Sequence, residues 1–158
     1  MDQLRTDLVA LLPRLRRFAR ALARNAHDAD DLVQIALERA LAHAAQRRTD
    51  SQLSSWVFGI LRNAWIDEQR SRGRQARRFA PAEAGEQVAD PAGAASPELL
   101  AAQEALAQLP EEQRVAVALV LIEGLSYKEA AHIMQIPIGT LTSRLARARA
   151  ALQAQLGE

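Results

Sequence analysis

The residues best equipped for chemistry lie near the C-terminal end, in GLSYKEAAHIMQIPIGTLTSRLARARAAL from Gly124 to Leu152. Thr140, Thr142 and Ser143 supply hydroxyls that donate or accept hydrogen bonds, and Arg144, Arg147 and Arg149 supply planar guanidinium forks. Such a fork pairs two-pronged with a guanine edge or with a phosphate. No acid stands between Glu129 and Glu158, so nothing nearby in the chain neutralises these cations. The chemistry on offer is recognition of a polyanion, not catalysis. The chain has no Cys, three scattered His, no phosphate-cradling glycine loop and no nucleophile constellation. No catalytic residue, cofactor or metal ligand is therefore expected.

Those side chains need a scaffold. Ser126 and Glu129 stand at the spacing of a capping box and should open a short helix with Ala130, Ile133 and Met134 inward. Gln135-Ile136-Pro137 is a tight connector, and a last helix runs from about Gly139 to Leu156 with Leu141, Leu145, Ala148 and Leu152 inward. Two short helices across a tight turn, the second with small polar residues and Arg near its start, describe a helix-turn-helix whose second helix enters a DNA major groove. An ordinary helical hairpin with a solvated Arg stripe has the same periodicity.

The rest of the chain is equally helical in pattern. Leu4, Leu8, Leu11, Leu15, Phe18 and Leu22 form an amphipathic stripe that Pro13 should break or kink. Asn25 is a candidate stop. Asp28, Asp30 and Asp31 then open a helix with Leu32, Ile35, Ala36 and Leu41 inward, fading near Gln46. Gln46 to Ser55 is polar and is expected to be a loop. A third helix carries Trp56, Ile60, Leu61, Ala64 and Trp65 on or near its buried face, and Arg62, Asn63, Asp67, Arg70 and Arg72 outside. Trp56 suits the core; Trp65 suits either a buried anchor or a stacking surface. Ser96-Pro97 begins the next helix, Leu109-Pro110 ends it, and a further one from about Glu111 to Glu123, with Val115, Ala118, Leu119 and Ile122 inward, closes at Gly124. The fold class is all-α.

Charge divides the chain into blocks. Residues 1–78 hold 15 Arg against 9 acids, residues 79–108 hold 5 acids and no base, and residues 109–158 are balanced at 5 and 5. A basic block, an acidic tether and a balanced block suggest two small domains around a linker rich in Ala, Gly, Pro and Glu at 79–96. No Cys excludes a disulfide scaffold. No apolar run reaches a membrane span, and MDQLRTDL lacks the layout of a signal peptide, so a cytoplasmic protein without membrane insertion is expected.

GLSYKEAAHIMQIPIGTLTSRLARARAAL, with LAQLPEEQRVAVALVLIEGLS before it, resembles the C-terminal DNA-binding region of bacterial sigma factors of the extracytoplasmic-function (ECF) group. DADDLVQIALERAL resembles the helix by which sigma region two binds core RNA polymerase, and SSWVFGILRNAWIDEQRSRGR the helix that melts and reads the minus-ten element. The resemblance covers nearly the whole chain outside the linker. It implies region two at 1–78, a linker at 79–96 and region four at 97–158.

The resemblance also assigns roles. Asp31, Gln34, Ile35 and Glu38 would face a coiled coil of the polymerase largest subunit; Ile35 departs from the family, which usually has an acid there. Arg47, Arg48, Arg62, Asn63, Asp67 and Arg70 would meet the minus-ten DNA, the loop from Gln46 to Ser55 capturing a flipped base and Asn63 contacting a base. Thr140, Thr142, Ser143, Arg144, Arg147 and Arg149 would meet the minus-thirty-five element; the family often has a basic residue where Thr142 stands. The acidic linker would thread toward the RNA exit path or serve as a mere tether. Core RNA polymerase, promoter DNA and an anti-sigma factor that clamps the two domains are the implied partners of a chain monomeric when free. Alternatives are a sigma-like decoy that sequesters an anti-sigma factor without binding DNA, a simple helix-turn-helix repressor, and a structural helical adaptor.

Overall fold

The computed structural model describes residues 2–47, 52–78 and 96–157, residues 74–78 by backbone alone. Among these every regular element is helical. They are α1 (Asp2–Ala23), α2 (Ala26–Ala42), a 3-10 turn (Ala44–Gln46), α3 (Leu53–Arg78), α4 (Pro97–Gln108), α5 (Glu111–Val117) running into a π-helical turn (Ala118–Ile122), α6 (Tyr127–Met134) and α7 (Ile138–Gln155). Residues 48–51 of the expected Gln46–Ser55 loop, Arg48 among them, and the linker up to Ala95 lie outside the described residues, while Gln46 closes the 3-10 turn and Leu53–Ser55 already belong to α3.

Pro13 neither ends nor splits α1. The hydrogen bond it forfeits would have run to the carbonyl of Val9, and both residues are exposed, so the loss falls on the wet side of the helix. Asn25 does not stop α1 either. Arg24, in the left-handed region at φ 70°, ends it, and Asn25 caps α2 by accepting from the Asp28 N–H at 2.8 Å. With only two residues between the helices, the capping amide serves the helix that follows. Ser96 caps α4 as its sequence position suggests, accepting from Leu99 N–H at 3.1 Å.

Phe18 and Phe58 meet edge to face at the centre of the first three helices, centroids 5.2 Å apart, with Leu15, Leu22 and Leu61 fully buried around them. Leu119, Leu141 and Leu145 play the same part under the last four. The two groups share one continuous apolar core. Arg114 crosses the junction, buried: it donates to the carbonyls of Ala21 in α1 and, at 2.9 Å, Leu109. Burial pushes its guanidinium below the usual value.

The π turn corrects the expected register. Glu123 N–H donates to Ala118 O at 2.9 Å, a five-residue step that rotates the following residues relative to an α-helix. Ile122, expected inward, is therefore exposed, and Glu123 is buried instead. Gly124 at φ 75° then closes the helix in the left-handed conformation.

Candidate nucleic-acid interface

The helix-turn-helix is built as its sequence suggests. Ser126 Oγ accepts from Glu129 N–H and Glu129 Oε1 accepts from Ser126 N–H, each at 3.0 Å. The Ser126 N–H, aided by the Ser55 hydroxyl donating at 3.0 Å, holds the Glu129 carboxyl below the usual carboxylate range. Gln135 takes the left-handed conformation at φ 58°, which turns the chain into α7. Ala130, Ala131, Ile133 and Met134 lock the short helix onto Leu141, Leu145 and Ala148.

On the other side of α7, Thr142, Ser143, Arg147 and Arg149 are exposed, while Thr140 is half-buried. The Thr142 hydroxyl donates back to Ile138 O at 3.0 Å, leaving its lone pairs to accept. Arg144 turns toward α5, its Nε 3.8 Å from Glu112 Oε2. The six residues expected at the minus-thirty-five element thus share a helix but not one face.

A groove of about 270 Å3 lies between α2 and α3, lined by Asp31, Gln34, Ile35, Glu38, Trp65 and Arg72 among others. All four residues expected to face polymerase meet here, with Asp31, Gln34 and Glu38 exposed and Ile35 half-buried. Asp28 forms one end, accepting from Asn25 Nδ2 at 3.0 Å and Arg72 Nη2 at 2.9 Å. Asn25 first, and Arg72 after it, keep its carboxyl below the ordinary value. Arg72, expected on the outside of the third helix, is committed to Asp28 and Glu68. His27, Asp28 and Asp31 bring ligand-capable atoms within 4.8 Å, but Asp28 already has these partners.

A second cleft, about 260 Å3, opens beside Asn63. Arg39, His43 and Gln46 line one wall, and Trp56, Ile60 and Asn63 the other. Of these the sequence singled out Asn63 for a base contact; Arg39, His43 and Trp56 join it only in the structure. The signal was available: each trio recurs at steps of four and three, one face of a helical turn. Arg39 is held by Asp67, 3.0 Å away, so Asp67 supports the cleft from outside. Trp56 is half-buried against the core, not sealed within it.

The remaining minus-ten candidates scatter. Arg70 is exposed and Arg47 half-buried. Arg62 points toward α6, donating to Ile133 O at 3.4 Å. Burial first, and then the like charge of Arg144, push its guanidinium below the usual value. Trp65 is buried, and its indole N–H donates to Glu111, which settles it as an anchor in this arrangement.

Residues 99–152 match the family model described as Sigma-70, region 4, and residues 8–62 that described as the Sigma2 domain of PhyR. The chain is 41% identical over 155 residues to the ECF RNA polymerase sigma factor EcfG of Rhodopseudomonas palustris, covering 98% of this chain and 86% of that protein. It is 41% identical over 143 residues to the ECF RNA polymerase sigma factor SigM of Mycobacterium tuberculosis, covering 90% and 71%. Its structure is similar to that of the sigma factor RpoE from Bartonella quintana, solved in complex with the anti-sigma factor NepR. That likeness has a TM-score of 0.89 at 36% identity and covers 99% of this chain and 98% of the other.

Proposed function

The chain belongs to the ECF group of RNA polymerase sigma factors, and from that membership we propose how its surfaces share the work of initiation. It is a regulatory initiation factor and not a classical enzyme. Its partners are RNA polymerase, promoter DNA and an anti-sigma factor.

Residues 1–78 act as region two and residues 97–158 as region four, with 79–96 between them as tether. The α2 groove docks on polymerase: Asp31 supplies charge, Gln34 a two-pronged amide, Glu38 a second carboxylate. Ile35 contributes apolar contact where the family usually has an acid. The cleft beside Asn63 receives the flipped minus-ten base. Trp56 offers a stacking face, and the amides of Asn63 and Gln46 can read a base edge; extrusion costs a few kcal/mol, which these contacts offset. Arg47, Arg48, Arg62 and Arg70 hold phosphates and make binding salt-dependent. On α7, Thr142, Ser143, Arg144 and Arg147 read the minus-thirty-five element, with Thr140 and Arg149 at its edges. No helix among the described residues is long and apolar enough to cross a membrane, and work on polymerase places the protein in the cytoplasm, monomeric when free.

The observation that carries this reading is the exposed row Thr142, Ser143 and Arg147 on the second helix of a capped helix-turn-helix. The test is transcription with purified core polymerase on a pool of genomic promoter fragments, with and without the protein. Protein-dependent transcripts sharing two upstream elements support it. One observation, the match of residues 8–62 to the Sigma2 domain of PhyR, favours a decoy that holds an anti-sigma factor. Binding to an anti-sigma factor with no affinity for core polymerase would establish that reading instead.

A further inference from the structure

His43 caps the C-terminal end of α2, and its backbone and its ring turn on the same oxygen. Its backbone N–H donates to Arg39 O at 3.0 Å, and its Nδ1 lies 3.0 Å from that atom. A carbonyl oxygen can only accept, so Nδ1 carries a proton. In the neutral ring the other nitrogen, Nε2, is then an acceptor and nothing else. The contact fixes the tautomer and holds the ring in one orientation before any ligand arrives. The ring is exposed and lines the cleft beside Asn63. Among the described residues Nε2 has no hydrogen-bond partner.

The rest of the cleft differs in kind. Arg39 and the Trp56 indole can only donate, and the amides of Gln46 and Asn63 can turn to present either sense. Among the described residues that line the cleft, His43 Nε2 is therefore the one group restricted to accepting. Resting on the reading of this cleft as the receptor for the flipped minus-ten base, we propose that His43 selects the base, Nε2 accepting from a base N–H. The two amides adapt to whichever edge enters, and His43 does not, so His43 decides which edge they adapt to. A base that turns a carbonyl or a bare ring nitrogen toward Nε2 sets acceptor against acceptor. Neither group is then paired after leaving water, and that base is rejected.

The test uses the full chain with core polymerase. Its template is a promoter recovered from the genomic pool, with each minus-ten base varied in turn. Two variants divide the ring between them. His43→Asn keeps a group at the δ position that can donate to Arg39 O and has nothing at the ε position. His43→Gln places an acceptor at the ε position and gives up the contact with Arg39 O. In His43→Asn, discrimination among the four bases should fall about three- to tenfold at one minus-ten position, the worth of one hydrogen bond. His43→Gln should retain that discrimination. An abasic nucleotide at the same position should erase the difference between His43→Asn and the unsubstituted chain. Discrimination lost in His43→Gln and kept in His43→Asn would overturn the proposal and leave His43 a helix cap. An equal loss on all four bases and on the abasic template, or no change in either variant, would overturn it as well. A transcript from the unsubstituted chain keeps these outcomes apart from failure of the underlying reading; without one, that reading falls and the proposal with it.

Discussion

Asp67 Oδ2 lies 3.0 Å from Arg39 Nη1, and this ion pair fixes a cation at the rim of the cleft that holds Asn63. Both side chains are partly exposed, so the pair contributes little to stability, about 0–1 kcal/mol. Its effect is electrostatic. Asp67→Asn should free Arg39 for phosphate and steepen the salt dependence of promoter binding by about one ion. Measuring affinity for promoter DNA across a salt series, with polymerase present, checks this; an unchanged slope would mean Arg39 never meets DNA.

Asp31 is exposed in the α2 groove, so replacing it should leave the fold alone, with a stability change within about 0.5 kcal/mol. Asp31→Arg should nevertheless weaken binding to core polymerase. Thermal unfolding and a polymerase affinity measurement on one preparation separate the two effects.

Arg147 is exposed while Arg144 leans toward Glu112, so the two should differ. Arg147→Ala should cost about 1–3 kcal/mol on promoter sequences if the guanidinium reads a guanine, with the loss confined to particular bases. Equal loss on every sequence would make it a phosphate contact. Glu112→Ala should strengthen binding through Arg144 by removing the competing carboxylate. Titration against a set of single-base promoter variants distinguishes these outcomes.

The capping box makes an acid-side prediction. Ser126→Ala should destabilise the protein by about 1 kcal/mol, read by chemical denaturation. The Glu129 carboxyl sits below its ordinary range in the folded chain, so its contribution is complete above the unfolded pKa and vanishes as pH falls through the folded one. Stability should therefore drop below pH about 4. Glu129→Gln, which can still accept from Ser126 but does not titrate, should narrow the difference between pH 7 and pH 3.

Local signals in the sequence translated directly into structure where one residue type satisfies one backbone need. Ser126 with Glu129, Ser96 with Pro97, and Gly124 each do what their chemistry dictates. Grouping was legible too: the four residues expected at polymerase line one groove because a helix places positions three and four apart side by side. What escaped was set by tertiary partners. Asn25 has the chemistry of either a stop or a cap, and the short connector decided. Arg62 and Arg72 look alike on an exposed helical face, yet one ends on a carbonyl of α6 and the other on Asp28. The inward turn of Glu123 depends on the π step, which no residue in Ala118–Ile122 announces.

That π step is also one residue of slack in helical phase. That slack is already taken up, so one further residue inserted into Ala118–Ile122 would swing all that follows by roughly 100°, the advance of an α-helix per residue. The recognition helix would keep its sequence, its cap and its own packing, yet meet the rest of the molecule from a different bearing. The bearing of the recognition helix is therefore set in a segment that precedes it.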